Sequence, residues 1–257
     1  MEFPKWIFEK QTIIENTPSR KEGIDFETEL NEREETSIFI LTLGKLLDLN
    51  EIIICTSQYY FHRVFLKYSF NKEDSNQARM MAAGCVLLAS KIHECAKKTR
   101  DIINCYHFII TGGQQILEIG DHFHKLRADL VLAESRVLRA LCFDLDIVVP
   151  NVYLLHFSKS LSLSQSTFKI ASKLLNDSMT SILCLLCTPV EIACGCIHLA
   201  SKISDKEIPF PCWYEVFGVD TNKVVFVVSE IMSLISKSNE QNFHNLNENQ
   251  NENLKKN

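Results

Sequence analysis

The sequence lacks the short motifs that build the commonest catalytic sites. Only 8 of its 257 residues are glycine, and none of them forms a Gly-rich phosphate-binding loop. There is also no Gly-x-Ser-x-Gly nucleophile turn and no His-Glu-x-x-His zinc motif. These absences argue against the corresponding classes of enzyme, and we expect the chain to have no catalytic residues of its own.

The sequence also has no excess of positive charge. It contains 27 Lys and Arg against 32 Asp and Glu, which gives a net charge of -5 and a pI of about 5.9. Proteins that bind nucleic acid usually present a basic face. The short basic cluster KKTR, Lys97 to Arg100, is better interpreted as the solvated start of a helix. No direct nucleic-acid partner is therefore expected.

No segment has the pattern of a membrane span or a secretory leader. The longest apolar run, KVVFVVSEIMSLI, is interrupted and shorter than the ~20 residues that a bilayer requires. The first residues, MEFPKWIFEK, show neither a charged n-region nor a small-residue cleavage site. We expect an intracellular protein without a membrane partner, and therefore free thiols rather than disulfides at its ten cysteines.

One segment, CLLCTPVEIACGC and the residues after it, collects several candidate metal ligands. They are Cys184, Cys187, Cys194, Cys196 and His198. The first two have a zinc-type spacing, but they lie in an apolar helical run without a knuckle glycine. Since buried cysteine behaves as a small hydrophobic residue, we interpret the segment as core. No metal and no cofactor are expected.

The apolar residues follow a helical period, and no convincing strand pattern is visible. One helix occurs twice, as MAAGCVLLASKIHE from Met81 to Glu94 and as IACGCIHLASKISD from Ile192 to Asp205. Both copies are apolar on nearly all sides and rich in small residues, so each should be the buried centre of a helical unit. We predict an all-α protein with two five-helix domains and a short N-terminal helix.

The predicted boundaries divide the chain into four parts. They are an N-terminal extension (1–24), a first domain (25–148), a second domain (149–237) and an Asn-rich tail (238–257). The tail should be disordered, because it has too little apolar area to offset the entropy of ordering.

Helix signals support this division. In the first half they predict helices over 6–14, from an N-cap at Asp25, over 51–70, from 75 or 76, over 99–110 and over 124–142. In the second half they predict a helix in NVYLLHFSKSL, one long helix over 166–187, and helices in PCWYEVFG and NKVVFVVSEIMSLISK. The repeated helix should begin at Thr188, with Pro189 in its first turn and Glu191 completing a capping box.

Two charged residues stand among apolar neighbours. Lys91 ends the first copy of the repeated helix, and Glu134 has Leu130 one turn before it and Val137 one turn after it. A charge in such surroundings requires a partner. The two residues could pair with each other, or both could face outward and bind backbone groups of another protein. The residues alone leave these alternatives open.

Several segments resemble the cyclins. They are YFHRVF, LLASKIHE, KKTRDII, ESRVLRALCFDLDI, and NDSM followed by IACGCIHLASKI. The opening KWIFEKQTIIENTPSRKEGIDFETELNERE is similar to the transcriptional cyclins of the K, T and L types. The resemblance extends from about Lys5 to Ser236 and implies tandem cyclin boxes of five helices each.

The resemblance implies a regulatory subunit that binds and activates a cyclin-dependent kinase as a heterodimer. A nuclear role in RNA polymerase II transcription or RNA processing would follow from the subfamily. The matching positions for hydrogen bonds to the kinase are Lys91 and Glu134, with Glu94 as the last acid of the family's Lys-x-Glu-Glu pattern. Ile92 and Phe143 match the apolar contacts. The second copy, with Lys202, is expected to be structural.

Two of the departures from the family concern its binding surfaces. His93 replaces one acid of the Lys-x-Glu-Glu pattern, which is either a tolerated surface change or a change in partner preference. The segment Glu32 to Thr36 replaces the hydrophobic substrate-docking motif of cell-cycle cyclins, so we expect no recruitment of Arg-x-Leu peptides there. The alternatives are a cyclin-fold scaffold without a kinase and a basal transcription factor of the IIB type.

Overall fold

A computed structural model describes residues 6–71, 74–204, 208 and 210–237, and every regular element in these ranges is helical. The all-α prediction is confirmed. No helix within the described ranges combines the length and the apolar character needed to cross a bilayer. The Asn-rich tail that was predicted to be disordered lies outside the described residues.

Two short helices precede a first unit of five helices. The short helices are α1 (Lys10–Asn16) and α2 (Pro18–Lys21). The unit comprises α3 (Phe26–Leu46), α4 (Glu51–Val64), α5 (Ser75–Ile92), α6 (Thr99–Ile110) and α7 (Asp121–Ala140).

Over its described residues, the second unit has six helical elements, one more than the first. It comprises α8 (Pro150–Ser160), α9 (Gln165–Ser178), the single turn α10 (Leu183–Leu186), α11 (Pro189–Ile203), a 3-10 helix (Trp213–Phe217) and α12 (221–237). The segment PCWYEVFG is therefore a short 3-10 helix rather than an α-helix, and it ends at Gly218, whose φ of 76° suits glycine.

Two helix starts agree with their sequence signals. The Asp25 carboxylate accepts a hydrogen bond from the Thr28 N–H at 2.8 Å. At the start of α11, Thr188 and Glu191 form a capping box with Pro189 in the first turn. Each cap satisfies backbone N–H groups that have no partner inside the helix.

The repeated helix is the buried centre of each unit, as its composition predicts. Every residue from Met81 to Ser90 in α5 is buried, and so are most residues of α11. A Cβ on Gly84 would lie 3.0 Å from the backbone of Ala133, and one on Gly195 would overlap the Val227 side chain. Glycine therefore avoids a steric conflict in both copies, because a neighbouring helix approaches closely.

The helix predicted over 51–70 ends earlier, at Val64. The buried Arg33 of α3 donates to the carbonyl of His62 at 3.1 Å and to that of Phe65 at 2.8 Å. In a longer helix these carbonyls would accept hydrogen bonds from N–H groups of the next turn. The arginine supplies these bonds instead, so α4 can end here and the chain can change direction.

The long helix predicted over 166–187 is wrong, because the chain breaks after Ser178 and forms α10 separately. The Met179 carbonyl accepts from the Ser37 hydroxyl at 3.2 Å and lies 3.1 Å from His62 Nε2, both in the first unit. The hydroxyls of Thr180 and Ser181 also bond to local carbonyls. Such bonds compete with the helical ladder.

The N-terminal helix starts at Lys10 rather than near Trp6. Before it, the Phe8 N–H donates to the Leu185 carbonyl of the second unit at 2.8 Å. This contact attaches the segment before α1 to the second unit.

A buried polar network joins the two units. Glu29 accepts from Arg33 at 2.8 Å and from Arg20 at 2.6 Å, and both Glu29 and Arg33 are almost fully buried. Burial lowers the pKa of Arg33. The carboxylate of Glu29 acts in the opposite direction, because it favours the charged form of the arginine. Burial and the nearby Arg33 lower the pKa of His62 to about 3, so this histidine is neutral where it meets Met179.

Candidate functional site

The end of α5 presents the first candidate residue, Lys91. Its ammonium group lies 2.6 Å from Glu134 Oε1 of α7, and the side chains are 48% and 13% exposed respectively. The close packing of α5 on α7 at Gly84, two turns earlier, brings the two residues into register. The two charged residues singled out in the sequence, Lys91 and Glu134, therefore form one ion pair at the protein surface.

This geometry combines the two alternatives that the sequence left open. The internal ion pair exists, but it lies at the protein surface and leaves half of the lysine side chain in solvent. An ammonium group has three donors, and the pair uses one of them. Exposed ion pairs contribute at most about 1 kcal/mol to stability, so folding alone makes only a weak demand for these charges.

The residues after Lys91 continue the exposed surface. Ile92, the last residue of α5, is 43% exposed. Glu94 is exposed and has a φ of 55°, because its left-handed conformation lets the Cys95 N–H close the helix on the Ser90 carbonyl at 2.9 Å. Helix termination thus positions the Glu94 side chain.

His93 is tied to the neighbouring helix α4. Its Nε2 lies 2.9 Å from the Thr56 hydroxyl, and that hydroxyl also bonds to the Ile52 carbonyl at 2.8 Å. Since the single hydroxyl proton goes to the carbonyl, Nε2 of His93 acts as the donor. The replacement of an acid by histidine therefore has a structural role beside any effect on partners.

Phe143 is the most exposed apolar candidate. It follows the end of α7, where its side chain is 70% exposed and its backbone has a φ of 59°. Glu134 lies six residues before the end of α7, about 9 Å along the helix axis at 1.5 Å per residue, and Phe143 follows in the turn after that end. Lys91 and Glu134 therefore form a direct pair beside Ile92, whereas Phe143 lies in the turn beyond α7.

Three neighbours of these candidates had no local signal in the sequence. Thr56 holds His93, and the Tyr60 hydroxyl donates to the Leu145 carbonyl at 2.8 Å. The indole N–H of Trp6 donates to Asp144 Oδ2 at 2.9 Å, across 138 residues of sequence. Each contact depends on the tertiary fold and could not be found from residue spacing.

The cysteine-rich segment belongs to the second core. All ten cysteines are free thiols, and Cys184, Cys187, Cys194 and Cys196 are buried. Burial raises the pKa of Cys184, Cys187 and Cys194 to about 12, which keeps these thiols protonated. Within the described residues, no group of three or more His, Cys, Asp or Glu side chains could hold a metal ion.

The segment that replaces the hydrophobic docking motif lies on α3. Arg33 and Thr36 point into the core, whereas Glu32, Glu34 and Glu35 remain at least partly exposed. Burial, followed by the charge of Glu35, raises the pKa of Glu32. The surface here is acidic, whereas the docking motif of cell-cycle cyclins is hydrophobic.

Comparison with protein families gives two adjacent matches. Residues 6–146 match the family described as "Cyclin, N-terminal domain", and residues 148–256 match "Cyclin, C-terminal domain". The two matches meet between α7 and α8, where the two helical units meet in the structure.

Curated relatives agree with these matches. The chain is 30% identical to Cyclin pch1 of Schizosaccharomyces pombe over 91% of this chain and 70% of that protein. It is 29% identical to Cyclin-T1-5 of Arabidopsis thaliana over 92% of this chain, and 29% identical to Cyclin-L1 of Danio rerio over 87%. The chain spans 42% of the length of the Arabidopsis protein and 46% of the fish protein.

Solved structures with the same fold include a chain of the yeast RNA polymerase II CTD kinase complex CTDK-1. The match has a TM-score of 0.75 at 20% identity and covers 90% of this chain and 73% of that chain. A chain of the yeast TFIIK complex matches with a TM-score of 0.65 at 16% identity, over 90% of this chain and 96% of that chain. These likenesses show the fold.

Proposed function

Since the chain belongs to the cyclin family, we propose that it binds and activates a cyclin-dependent serine/threonine kinase as the regulatory subunit of a heterodimer. Cyclins are regulatory subunits rather than catalysts, so the chemistry takes place on the kinase. The similarity to relatives named cyclin T and cyclin L supports a role in RNA polymerase II transcription or RNA processing. Such a role would place the protein in the nucleus.

The proposed kinase-binding residues are Lys91, Ile92, Glu94, Glu134 and Phe143. The unused donors of Lys91 and the free lone pairs of Glu134 are suited to backbone groups of the kinase. Ile92 and Phe143 provide exposed apolar area, and Glu94 adds an acceptor. A few such anchors usually supply most of the binding energy of an interface.

The single observation that carries this proposal is the Lys91–Glu134 pair at the protein surface. The pair joins the two helices that pack most closely in the first unit, yet its lysine is half-exposed beside an exposed isoleucine. In the second copy Lys202 and Ile203 are exposed as well, so the feature particular to the first copy is the ion pair with Glu134. A partner that covers it would convert a weak exposed pair into a desolvated and stronger one.

Activation follows from differential binding to two states of the kinase. A cyclin that binds the active conformation more tightly than the inactive one shifts the population towards the active conformation. The rigid α5–α7 pair is suited to this task, since its helices are held in a fixed relation by packing at Gly84. We further propose that the kinase-binding domain comprises residues 25–148 and that residues 149–237 form a separate second domain.

The proposal is tested by affinity purification of the tagged full-length protein from its own cells. The wild type is compared with a Lys91→Ala/Glu134→Ala double variant and with Lys202→Ala, which removes the equivalent lysine from the second copy. Mass spectrometry identifies co-purified kinases, and activity is measured on a peptide of the polymerase C-terminal repeat.

We expect one kinase to be recovered with the wild type and with Lys202→Ala, and to be lost or inactive with the double variant. Hydrogen bonds to charged groups contribute roughly 1.5–3 kcal/mol each, so the double variant should bind at least tenfold more weakly. Recovery of the same active kinase by all three proteins would overturn the site assignment. Recovery of no kinase by the wild type would overturn the proposed function.

A further inference from the structure

The segment before α1 lies across both helical units. The Trp6 ring lies 5.1 Å from the guanidinium carbon of Arg63 in the first unit, and the Phe8 N–H bonds to the Leu185 carbonyl in the second. Lys10 then pairs with Glu230 of α12 at 2.6 Å. The anchor of this segment on the first unit is Trp6, which is only 7% exposed.

The indole N–H of Trp6 donates to Asp144, the residue directly after Phe143. The bond is 2.9 Å long, partly buried and charge-assisted, because its acceptor is a carboxylate. The tight turn after α7 therefore has an attachment to the N-terminal segment in addition to its own backbone bonds.

The backbone of Phe143 needs such an attachment. Cys142, with a φ of 52°, closes the end of α7, because the Phe143 N–H then reaches the Leu138 carbonyl at 3.1 Å. Asp48, Glu94 and Ser162 end their helices with the same single left-handed residue. Helix closure therefore explains the left-handed backbone conformation of Cys142. It does not explain why the next residue, Phe143, is left-handed as well.

Phe143 is unfavourable in two respects. A left-handed conformation costs a residue with a large side chain roughly 1–2 kcal/mol, and its ring is 70% exposed to water. Such a conformation persists only where the surroundings hold it, and strain of this kind is concentrated at functional sites. Here Trp6 holds Asp144 and Tyr60 holds Leu145, so the two residues after Phe143 are both fixed from outside the turn.

We propose that Trp6 is a positioning residue for kinase binding. By fixing Asp144, it keeps the turn at Cys142 and Phe143 in the conformation that presents the Phe143 ring to the kinase. This inference rests on the proposed function, since Phe143 is assigned there as a kinase contact. The N-terminal segment would then contribute to kinase binding through Phe143, in addition to connecting the two units.

The test is a double-mutant cycle between Trp6 and Phe143 in the full-length chain. Trp6→Phe retains an aromatic ring over Arg63 but removes the donor to Asp144. The affinity for the kinase identified by the purification above is measured for the wild type, Trp6→Phe, Phe143→Ala and the double variant. Lys91→Ala provides the control background, because Lys91 pairs with Glu134 and takes no part in the bonds shown for the turn at 142–145.

We expect Trp6→Phe to weaken binding about five- to tenfold in the wild type and in the Lys91→Ala background, and less than twofold in the Phe143→Ala background. A merely structural role for Trp6 would give the same loss in all three backgrounds. That result, or no loss at all, would overturn the inference. Asp144→Asn, which weakens the same bond from its other end, should show the same dependence on Phe143.

Hydrogen exchange of the uncomplexed chain provides a readout that does not involve the kinase. In Trp6→Phe, the amides of residues 142–145 should exchange about tenfold faster, while peptides from α5 remain unchanged. Unchanged exchange at 142–145 would contradict the positioning role even if binding were weakened. If the wild type binds no kinase, the proposed function fails and this inference fails with it, whereas an additive cycle with intact binding removes this inference alone.

Discussion

The two copies of the repeated helix, α5 and α11, have the same internal packing and different surfaces. Gly84 packs against Ala133 and Glu134, and Gly195 packs against Val227. By this register, the position of Glu134 is taken in the second unit by Val228, which has no charge to offer to Lys202. The repetition therefore preserves the small residues that close packing demands, whereas the difference in charge lies on the neighbouring helix.

The apolar residues after the two lysines also differ in their surroundings. Ile92 is exposed beside the Lys91–Glu134 pair. Ile203 borders a groove of about 530 Å³ between the two units, together with Ile38 of α3 and Ile231 of α12. Both isoleucines are exposed, Ile92 by 43% and Ile203 by 55%, but Ile203 lies at the rim of a groove between the units.

The largest change in the free energy of unfolding should come from loss of the buried Arg33–Glu29 ion pair in the first unit. Arg33→Met should lower the free energy of unfolding by about 3 kcal/mol or more, because it leaves Glu29 and two carbonyls short of a partner in the core. Lys10→Met, which breaks the exposed pair with Glu230, should cost less than about 1 kcal/mol. Urea unfolding of both variants measures the contrast.

A compensating change makes this prediction specific. In Arg33→Met the buried Glu29 keeps Arg20 but loses its second cationic partner, so Arg33→Met combined with Glu29→Gln should be more stable than Arg33→Met alone. Equal stabilities of the single and double variants would show that the packing of Arg33, rather than its charge, matters.

Alanine substitutions at Gly84 and Gly195 should distinguish close contact with a neighbouring backbone from close contact with a side chain. Gly195→Ala should lower the free energy of unfolding by about 1–3 kcal/mol, and Val227→Ala should restore part of the loss, because the overlap is with that side chain. Gly84→Ala should cost a similar amount without rescue by Ala133→Gly, since the atoms it meets include backbone. Thermal unfolding of the four variants decides whether the two glycines are equivalent.

The joint between the units should depend on pH through His62. Its pKa is about 3 in the folded chain and about 6.5 when unfolded, so between these values the unfolded state binds more protons. Stability is therefore retained above pH 6.5 and lost as the pH falls, by up to about 1.4 kcal/mol per pH unit. At pH 5 the loss should be about 2 kcal/mol.

The matched variant for this effect is His62→Gln. It should flatten the pH dependence of the free energy of unfolding between pH 5 and 7, although it also alters the contact with Met179. A slope as steep as that of the wild type would assign the acid sensitivity to other groups.

The smallest effect is expected at His93. His93→Glu removes the bond to Thr56 at a partly exposed position, so the free energy of unfolding should change by less than about 1 kcal/mol. If His93 sets partner preference, binding assays against several cyclin-dependent kinases should show a changed order of affinities. An unchanged order would assign His93 a local structural role only.

The sequence was most informative where the decisive interactions are local. The caps at Asp25 and Thr188 and the buried centre of each unit follow from residues within one or two turns. Lys91 and Glu134 were found because each charge interrupts an apolar pattern on its own helix. Their pairing followed only from the packing of α5 on α7.

The wrong predictions share a physical cause. The helix over 166–187 is broken because the Met179 carbonyl is engaged by Ser37 and His62, more than 100 residues away in sequence. Trp6 joins Asp144 over a similar separation. Neither contact leaves a periodic or capping signal, so each could be found only in the folded chain.

The most direct test of the central claim is an exchange of the two charges, Lys91→Glu with Glu134→Lys. This variant can restore the ion pair between α5 and α7 with its polarity reversed, while it presents the opposite groups to a kinase. We predict folding stability within about 1 kcal/mol of the wild type and kinase affinity reduced at least tenfold. Wild-type affinity in the exchanged variant would contradict the account, because the two residues would then serve only each other.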